Sequence, residues 1–291
     1  MSREHRVPTD GRVLRVLEDG DPDGRPVFAL HGTPGSRLLW RGSVEDAAGR
    51  GIRLLAYDRP GYGGSDPHPG RTVADAAHDI ATIADVLRID RFAVEGGSGG
   101  GPHTLACAAL LPDRVVAAAS LAGVAPYPAD GLDWLDGMGQ DNLDEFGATL
   151  EGRDALERYL RGQAETMLDD DPEALAHALR SLLSPPDAAI LTGEFAEYLH
   201  AATREAIGER LDGWIDDDFV FVNPWGFELD AISVPVQLWH GAHDRFVPIS
   251  HGEWLAERIP GVDSHLSAED GHLTIELDRI GEVHDWLLEH F

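Results

Sequence analysis

Residues 91–110 read RFAVEGGSGGGPHTLACAAL. The opening RFAVE is a short apolar run of strand-forming residues, and the stretch from about Gly99 through HTLACAALL is small and helix-forming. Between them stands Gly-Gly-Ser-Gly-Gly at 96–100, a G-x-S-x-G pattern on a strand-to-helix turn. Such a turn forces its serine into a strained backbone conformation, with the hydroxyl projecting above the sheet. Gly96 and Gly100 carry no side chain, so strand and helix can pack closely on either side of Ser98. Taken alone, the pentapeptide reads first as a glycine-rich loop. The rest of the chain has to decide.

A serine hydroxyl is a poor nucleophile until a base takes its proton, and that base needs a carboxylate to fix its tautomer. Val234–His240 is apolar with proline at its edge and reads as a buried strand, after which Asp244 falls in a turn. His272 follows the next short segment, in VDSHLSAEDGHLT at 262–274. Upstream, Pro26–Leu30 reads as a strand running into HGTPGS at 31–36. Acyl transfer builds an oxyanion that needs preorganised N–H donors. Gly99, next after the nucleophile, supplies one. Thr33 supplies the other, since Pro34 has no N–H to give. His31 is expected to brace the loop.

With these residues in view, the chain resembles the α/β-hydrolase superfamily over most of its length. The motifs that carry the resemblance are HGTPGS at 31–36, DRPGYGGSD at 58–66, GGSGGGP at 96–102, HGAHDRFVP at 240–248 and DGH at 270–272. The resemblance implies a catalytic triad in the chain order Ser98, Asp244, His272. It also implies that DRPGYGGSD is the loop after an early core strand, Arg53–Tyr57, with Asp58 and Asp66 in structural roles. Relatives with an aspartate nucleophile carry Asp where this chain has Ser98, which disfavours epoxide-hydrolase and dehalogenase chemistry. Some members place the triad acid after the strand that follows the elbow helix. Here that strand is Val115–Leu121, and no carboxylate appears until Asp130, so Asp244 keeps the role.

Composition narrows the class. Hydrophobic residues make up 43% of 291, enough for a substantial core. Acids number 52 against 23 basic residues, every one arginine, for a formal charge of −29. Such a surface repels phosphate backbones and anionic lipid, so neither nucleic acid nor membrane is an expected partner. Two readings of that charge stay open: adaptation to salt or to a cationic substrate, and a codon preference for Arg and Asp over Lys. The opening MSREHRVPTDG lacks the apolar stretch of a signal peptide, and no segment reaches the ~18 apolar residues of a membrane span. A cytoplasmic enzyme is therefore expected. Cys107 is the only cysteine, so no internal disulfide forms, and it is expected to pack as a small hydrophobe. His240 and His243 lack a third metal ligand at suitable spacing.

Organisation changes near residue 126. Before it, strands, loops and helices alternate (Thr72–Leu87 is one helix), which favours a mostly parallel sheet flanked by helices. From Ala129 to about Asp230 strand signals vanish. Helical stretches replace them at Leu143–Leu150, Asp154–Leu168, Pro172–Leu183, Asp187–His200 and Arg204–Ile215, with Asp171-Pro172 and Ser184-Pro185 as helix starts. The reading is a core of residues 1–125 and 231–291 with a helical cap at 126–230. Trp225 and Phe227, just before the core resumes, are expected to line the substrate pocket. The cap's many acids could hold a substrate ammonium, as in the proline iminopeptidase branch, whose HGGPG-type loop HGTPG resembles. The expected activity is a serine hydrolase cleaving a carboxylic ester of a small molecule through an acyl-enzyme, with no metal or cofactor. The alternatives are an iminopeptidase-like amidase and a non-catalytic ligand-binding protein on the same fold.

Overall fold

The computed structural model describes residues 2–169 and 172–291. Among them, eight strands form one sheet: β1 (Arg3–Thr9), β2 (Arg12–Gly20), β3 (Arg25–Leu30), β4 (Ile52–Tyr57), β5 (Phe92–Gly97), β6 (Val115–Leu121), β7 (Val236–Gly241) and β8 (Asp263–Ser267). Their order is β1-β2-β4-β3-β5-β6-β7-β8. From β4 to β8 every pair is parallel, while β2 runs antiparallel to both β1 and β4. The crossovers carry α1 (Arg41–Gly49), α2 (Asp75–Val86) and α3 (Gly100–Leu110). Between β6 and β7 come α4 (Gln140–Glu151), α5 (Arg153–Met167), α6 (Pro172–Ala178), α7 (Pro185–Ile190), α8 (Gly193–Ile207) and α9 (Asp212–Phe221). Helix α10 (Ile249–Ala256) follows β7, and α11 (His272–Asp278) and α12 (Ile280–Leu288) follow β8.

The inner parallel strands are apolar on both faces because both are covered, whereas the edge strand β8 is polar and exposed. Side chains alternate along a strand, so neighbours serve opposite layers. Phe28 and Leu55 join Ile80, Leu105 and Leu255 on the side of α2, α3 and α10. Val27 and Leu54 join Ala47, Val283 and Leu287 on the side of α1 and α12. Cys107 is fully buried in the first layer. A third apolar cluster lies within the helical segment, where Leu156, Leu160 and Trp214 enclose Tyr62 from the loop after β4. The segment is thus pinned on an aromatic ring of the sheet's own loop.

Two features differ from the sequence reading. The β1–β2 hairpin precedes the first strand expected at Pro26. Its turn is Asp10-Gly11, both left-handed at φ 46° and 79°, the geometry whose twist matches a hairpin. In the helical segment, the stretch expected as one helix over Asp187–His200 is two, broken at Leu191 and the extended Thr192, after which α8 starts at a left-handed Gly193 with φ 53°. The expected Arg204–Ile215 is likewise split by a turn at 208–211, and the helix expected to reach Leu183 ends at Ala178. Asp171 of the expected Asp171-Pro172 start lies outside the described residues. No helix among the described residues is long and apolar enough to cross a membrane.

Candidate active site

Strand β5 stops at Gly97 and α3 starts at Gly100, which leaves Ser98 on the turn with φ 53°. A non-glycine residue held there costs of order 1–3 kcal/mol, so the surroundings must over-determine it. They do. Ser98 N–H donates to Leu121 O at 2.8 Å, and Gly101 N–H donates to Ser98 O at 2.9 Å. A side chain on Gly100 would place its Cβ 2.1 Å from Leu30 O, and one on Gly96 would meet Thr104 Oγ1 at 2.5 Å. The close approach of strand, helix and β3 is what holds the turn.

Asp244 follows β7 as expected. Its Oδ1 accepts the N–H groups of Phe246 and Val247, both at 2.8 Å, which fixes the carboxylate plane. Its Oδ2 is left for His272 Nδ1, which donates at 2.7 Å. The Phe246 ring stacks on the imidazole, centroids 4.4 Å apart and planes 16° apart. Burial disfavours the imidazolium. The charge and hydrogen bond of Asp244 outweigh it, with Glu276 and Asp187 adding, and push the His272 pKa up to about 9. Glu276 Oε1 lies 4.0 Å from His272 Nε2. Burial raises the Glu276 carboxyl to about 7 against the pull of His272.

His272 is the first residue of α11, and that helix N-terminus is capped from far away. Asp187, fully buried on α7, accepts N–H bonds from His272 (3.0 Å), Leu273 (2.8 Å) and Thr274 (3.1 Å). A carboxylate here satisfies orphan donors and complements the helix dipole. Asp187→Ala leaves three buried N–H groups without their acceptor. We expect it to lower the unfolding free energy by about 2 kcal/mol. Urea titration of the two proteins checks this, and equal midpoints would exclude the cap.

Across the cavity, the loop 31–36 meets the elbow. A Cβ on Gly99 would fall 2.3 Å from Thr33 Oγ1, so the two residues expected as oxyanion donors are in contact. His31 Nδ1 donates to Gly32 O at 2.7 Å, which leaves Nε2 to accept the Arg59 N–H at 3.1 Å. That tautomer is neutral, and burial together with the nearby Arg59 charge holds the His31 pKa well below its ordinary value. His31 braces the loop. Asp58 and Asp66 are also structural: Asp58 accepts from Arg37 and Gly64, and Asp66 accepts the Val13 N–H.

Ser98, His272 and Thr33 line one cavity of about 250 Å³ with largely apolar walls, among them Leu38, Phe195 and Tyr198. A second cavity of about 90 Å³ also touches Ser98, Thr33 and Gly99 and holds Glu145 and Asp218. Trp225 and Phe227 line neither, contrary to expectation. Their rings stack 5.7 Å apart and fill the core, and Trp225 O accepts the Ala74 N–H at the start of α2. Chain position just before β7 puts them beside the sheet layer instead of above the serine. The residues missed from sequence are Asp187, Asp217 and Glu276. A signal existed for Asp217: Asp216-Asp217-Asp218 interrupts the apolar helix WIDDDFVF, and acids in such a helix have to find partners.

Comparison with known proteins agrees with this architecture. A family model described as alpha/beta hydrolase fold matches residues 25–278. A 2-hydroxy-6-oxononadienedioate/2-hydroxy-6-oxononatrienedioate hydrolase of Burkholderia vietnamiensis is 26% identical, over 93% of this chain and 89% of that one. A probable proline iminopeptidase of Leptolyngbya boryana is 25% identical, over 92% and 87%. Among solved structures, the esterase RhEst1 of Rhodococcus sp. superposes with a TM-score of 0.70 at 21% identity, over 100% of this chain and 99% of that one. With the matched region running from β3 through the end of α11, the chain belongs to the α/β-hydrolase fold family.

Proposed function

We propose that this protein is a serine hydrolase that cleaves a carboxylic ester of a small molecule in two acyl-transfer steps. The observation that carries the proposal is the His272–Asp244 hydrogen bond at 2.7 Å, which orients a histidine lining the same cavity as Ser98, the one residue held left-handed on the elbow. His272, oriented by Asp244, takes the proton of Ser98. The serine oxygen attacks the carbonyl carbon, and the N–H groups of Thr33 and Gly99 hold the developing oxyanion. The imidazolium gives its proton to the leaving alcohol, and water then releases the acid by the same route. The mostly apolar large cavity suits an uncharged acyl or alkyl group. No arginine is among the described residues lining either cavity, and the chain has no lysine, which disfavours a dianion such as the Burkholderia relative's name specifies.

A second reading, cleavage next to a substrate ammonium, is favoured by the acids in the small cavity. Asp218 is almost fully buried, and its Oδ2 has no hydrogen-bond partner. Burial raises the carboxyls of both Glu145 and Asp218, so the neighbours share a proton that an incoming cation would displace. Initial rates on p-nitrophenyl butyrate and prolyl p-nitroanilide separate the readings, with Ser98→Ala as the blank. Serine-dependent ester turnover alone supports the esterase. Serine-dependent anilide cleavage moves the protein to the amidase reading. Silence on a broad ester and anilide panel favours a ligand-binding role.

The pH dependence follows from His272. With its pKa at about 9, the neutral base form grows as pH rises, so kcat/KM should climb from pH 7 toward 9. Glu276→Gln removes a negative charge that favours the imidazolium, which lowers the His272 pKa and moves the limb toward neutral pH. A pH–rate profile unmoved by this substitution would remove Glu276 from the account.

A further inference from the structure

The helical segment between β6 and β7 reaches under the loop 31–36 with one carboxylate. Asp217, on α9, is fully buried. Its Oδ2 accepts the hydroxyls of Thr33 (2.7 Å) and Tyr62 (2.8 Å) and the Nη2–H of Arg59 (2.6 Å). Its Oδ1 accepts from Arg71 at 2.6 Å. Arg59 Nη2 also donates to Gly32 O at 2.8 Å and to Thr33 Oγ1 at 3.0 Å, and its Nη1 donates to His31 O. One carboxylate and one guanidinium therefore grip three consecutive residues of the loop.

The consequence lies in the peptide unit joining Gly32 to Thr33. It is planar and trans, so its carbonyl and its N–H point in opposite directions. Arg59 and His31 Nδ1 both hold Gly32 O on their side, which sends the Thr33 N–H the other way. Arg59 lines neither cavity, whereas Thr33 and Ser98 line both. The geometry points to Asp217 as a positioning residue that, through Arg59 and the Thr33 hydroxyl, fixes the Gly32–Thr33 peptide plane with its N–H presented as an oxyanion donor. Without Asp217, Arg59 loses its carboxylate partner in a buried site, Arg71 is left with only the field of Asp216, and Arg59 loses the anchor that keeps its fork on Gly32 O. Burial opposes ionisation of Asp217, but Arg59 and Arg71 outweigh it and hold the carboxyl well below the usual range, so the clamp stays charged throughout the working pH.

This inference rests on acyl transfer at Ser98, and its test separates the two. The variants are Asp217→Asn, Thr33→Val, which keeps shape but loses the hydroxyl link, and Thr33→Ser, which keeps the link. Each is measured for kcat and KM on p-nitrophenyl butyrate, for melting temperature, and for inhibition by butaneboronic acid. The tetrahedral boronate on Ser98 places an oxygen where the oxyanion forms, so its affinity per active site reports the donors and not the folded fraction. Asp217→Asn should lower kcat by ~10²-fold, with KM nearly unchanged and boronate binding weakened in parallel. Thr33→Val should move both quantities in the same direction by about 10-fold, and Thr33→Ser should recover most of that loss. If Asp217→Asn does not fold, the Thr33 pair decides. A folded Thr33→Val with wild-type kcat and boronate affinity overturns the clamp. Turnover that survives Ser98→Ala overturns the reading of the reaction instead.

Discussion

Ser98→Ala is expected to lower kcat on p-nitrophenyl butyrate by ~10⁴-fold or more, leaving the fold and melting temperature essentially intact. In the proposed mechanism the loss is large because the serine oxygen is the atom that becomes acylated, and the Thr33 hydroxyl beside the elbow is committed to Asp217. The elbow offers only glycines around it, and the single cysteine, Cys107, is buried in the core on α3. The fold should survive because the position is held by backbone bonds, Ser98 N–H to Leu121 O and Gly101 N–H to Ser98 O, which alanine keeps. The left-handed φ of 53° is already tolerated with a Cβ present, so alanine adds no new steric demand. A residual rate within tenfold of wild type, in protein free of contaminating esterase, would sink the mechanism.

Asp244→Asn should cost nearly as much, ~10⁴-fold, although it changes one oxygen to an amide nitrogen. Two backbone N–H groups, from Phe246 and Val247, point at Oδ1, so the asparagine oxygen has to occupy that place. Its NH₂ group then faces His272 Nδ1, where a carboxylate oxygen now accepts. A donor at that point compels Nδ1 to be the acceptor and moves the imidazole proton to Nε2, the nitrogen that must be bare to take the serine proton. The substitution also removes the charge that stabilises the buried imidazolium against the cost of its burial. The double variant Ser98→Ala/Asp244→Asn should be no slower than Ser98→Ala alone, because the groups act as a unit. Losses that multiply would show that Asp244 serves some step outside the triad.

The elbow and five of the six parallel strands were legible because local chemistry specifies each, while the polar β8 was not and the chain order of serine, acid and histidine came from the family resemblance. A left-handed serine needs glycine neighbours, and a buried parallel strand needs an unbroken apolar run. The β1–β2 hairpin was missed, although Asp10-Gly11 and the alternation of Leu14 and Val16 signal it, because its polar outer face hid it beside the apolar strands that follow. Helix boundaries in the segment between β6 and β7 were harder. One apparent helix breaks at Leu191 and Thr192, residues whose non-helical backbone ahead of Gly193 composition alone does not disclose. Asp187 and Asp217 were lost among 52 acids, since their partners lie roughly 85 to 185 residues away and no spacing rule links them, whereas Glu276 stands one helical turn after His272 and was within reach of the i,i+4 rule. Trp225 and Phe227 were misplaced for the opposite reason: aromatic residues next to a predicted pocket serve a core equally well.

The cap that Asp187 provides for α11 has a bearing on engineering. Specificity in enzymes with an inserted segment is often changed by grafting that segment from one scaffold to another, as though it were an interchangeable part. Here the transplant would have to carry an acid in register with the first turn of α11, or His272 would start a helix with unmet donors. A chimera lacking it should have a disordered histidine as well as a new pocket, and restoring that one carboxylate should recover rate without changing which substrates are preferred. Libraries built on this scaffold would do better to hold residues 184–191 constant and vary the walls around Phe195 and Tyr198.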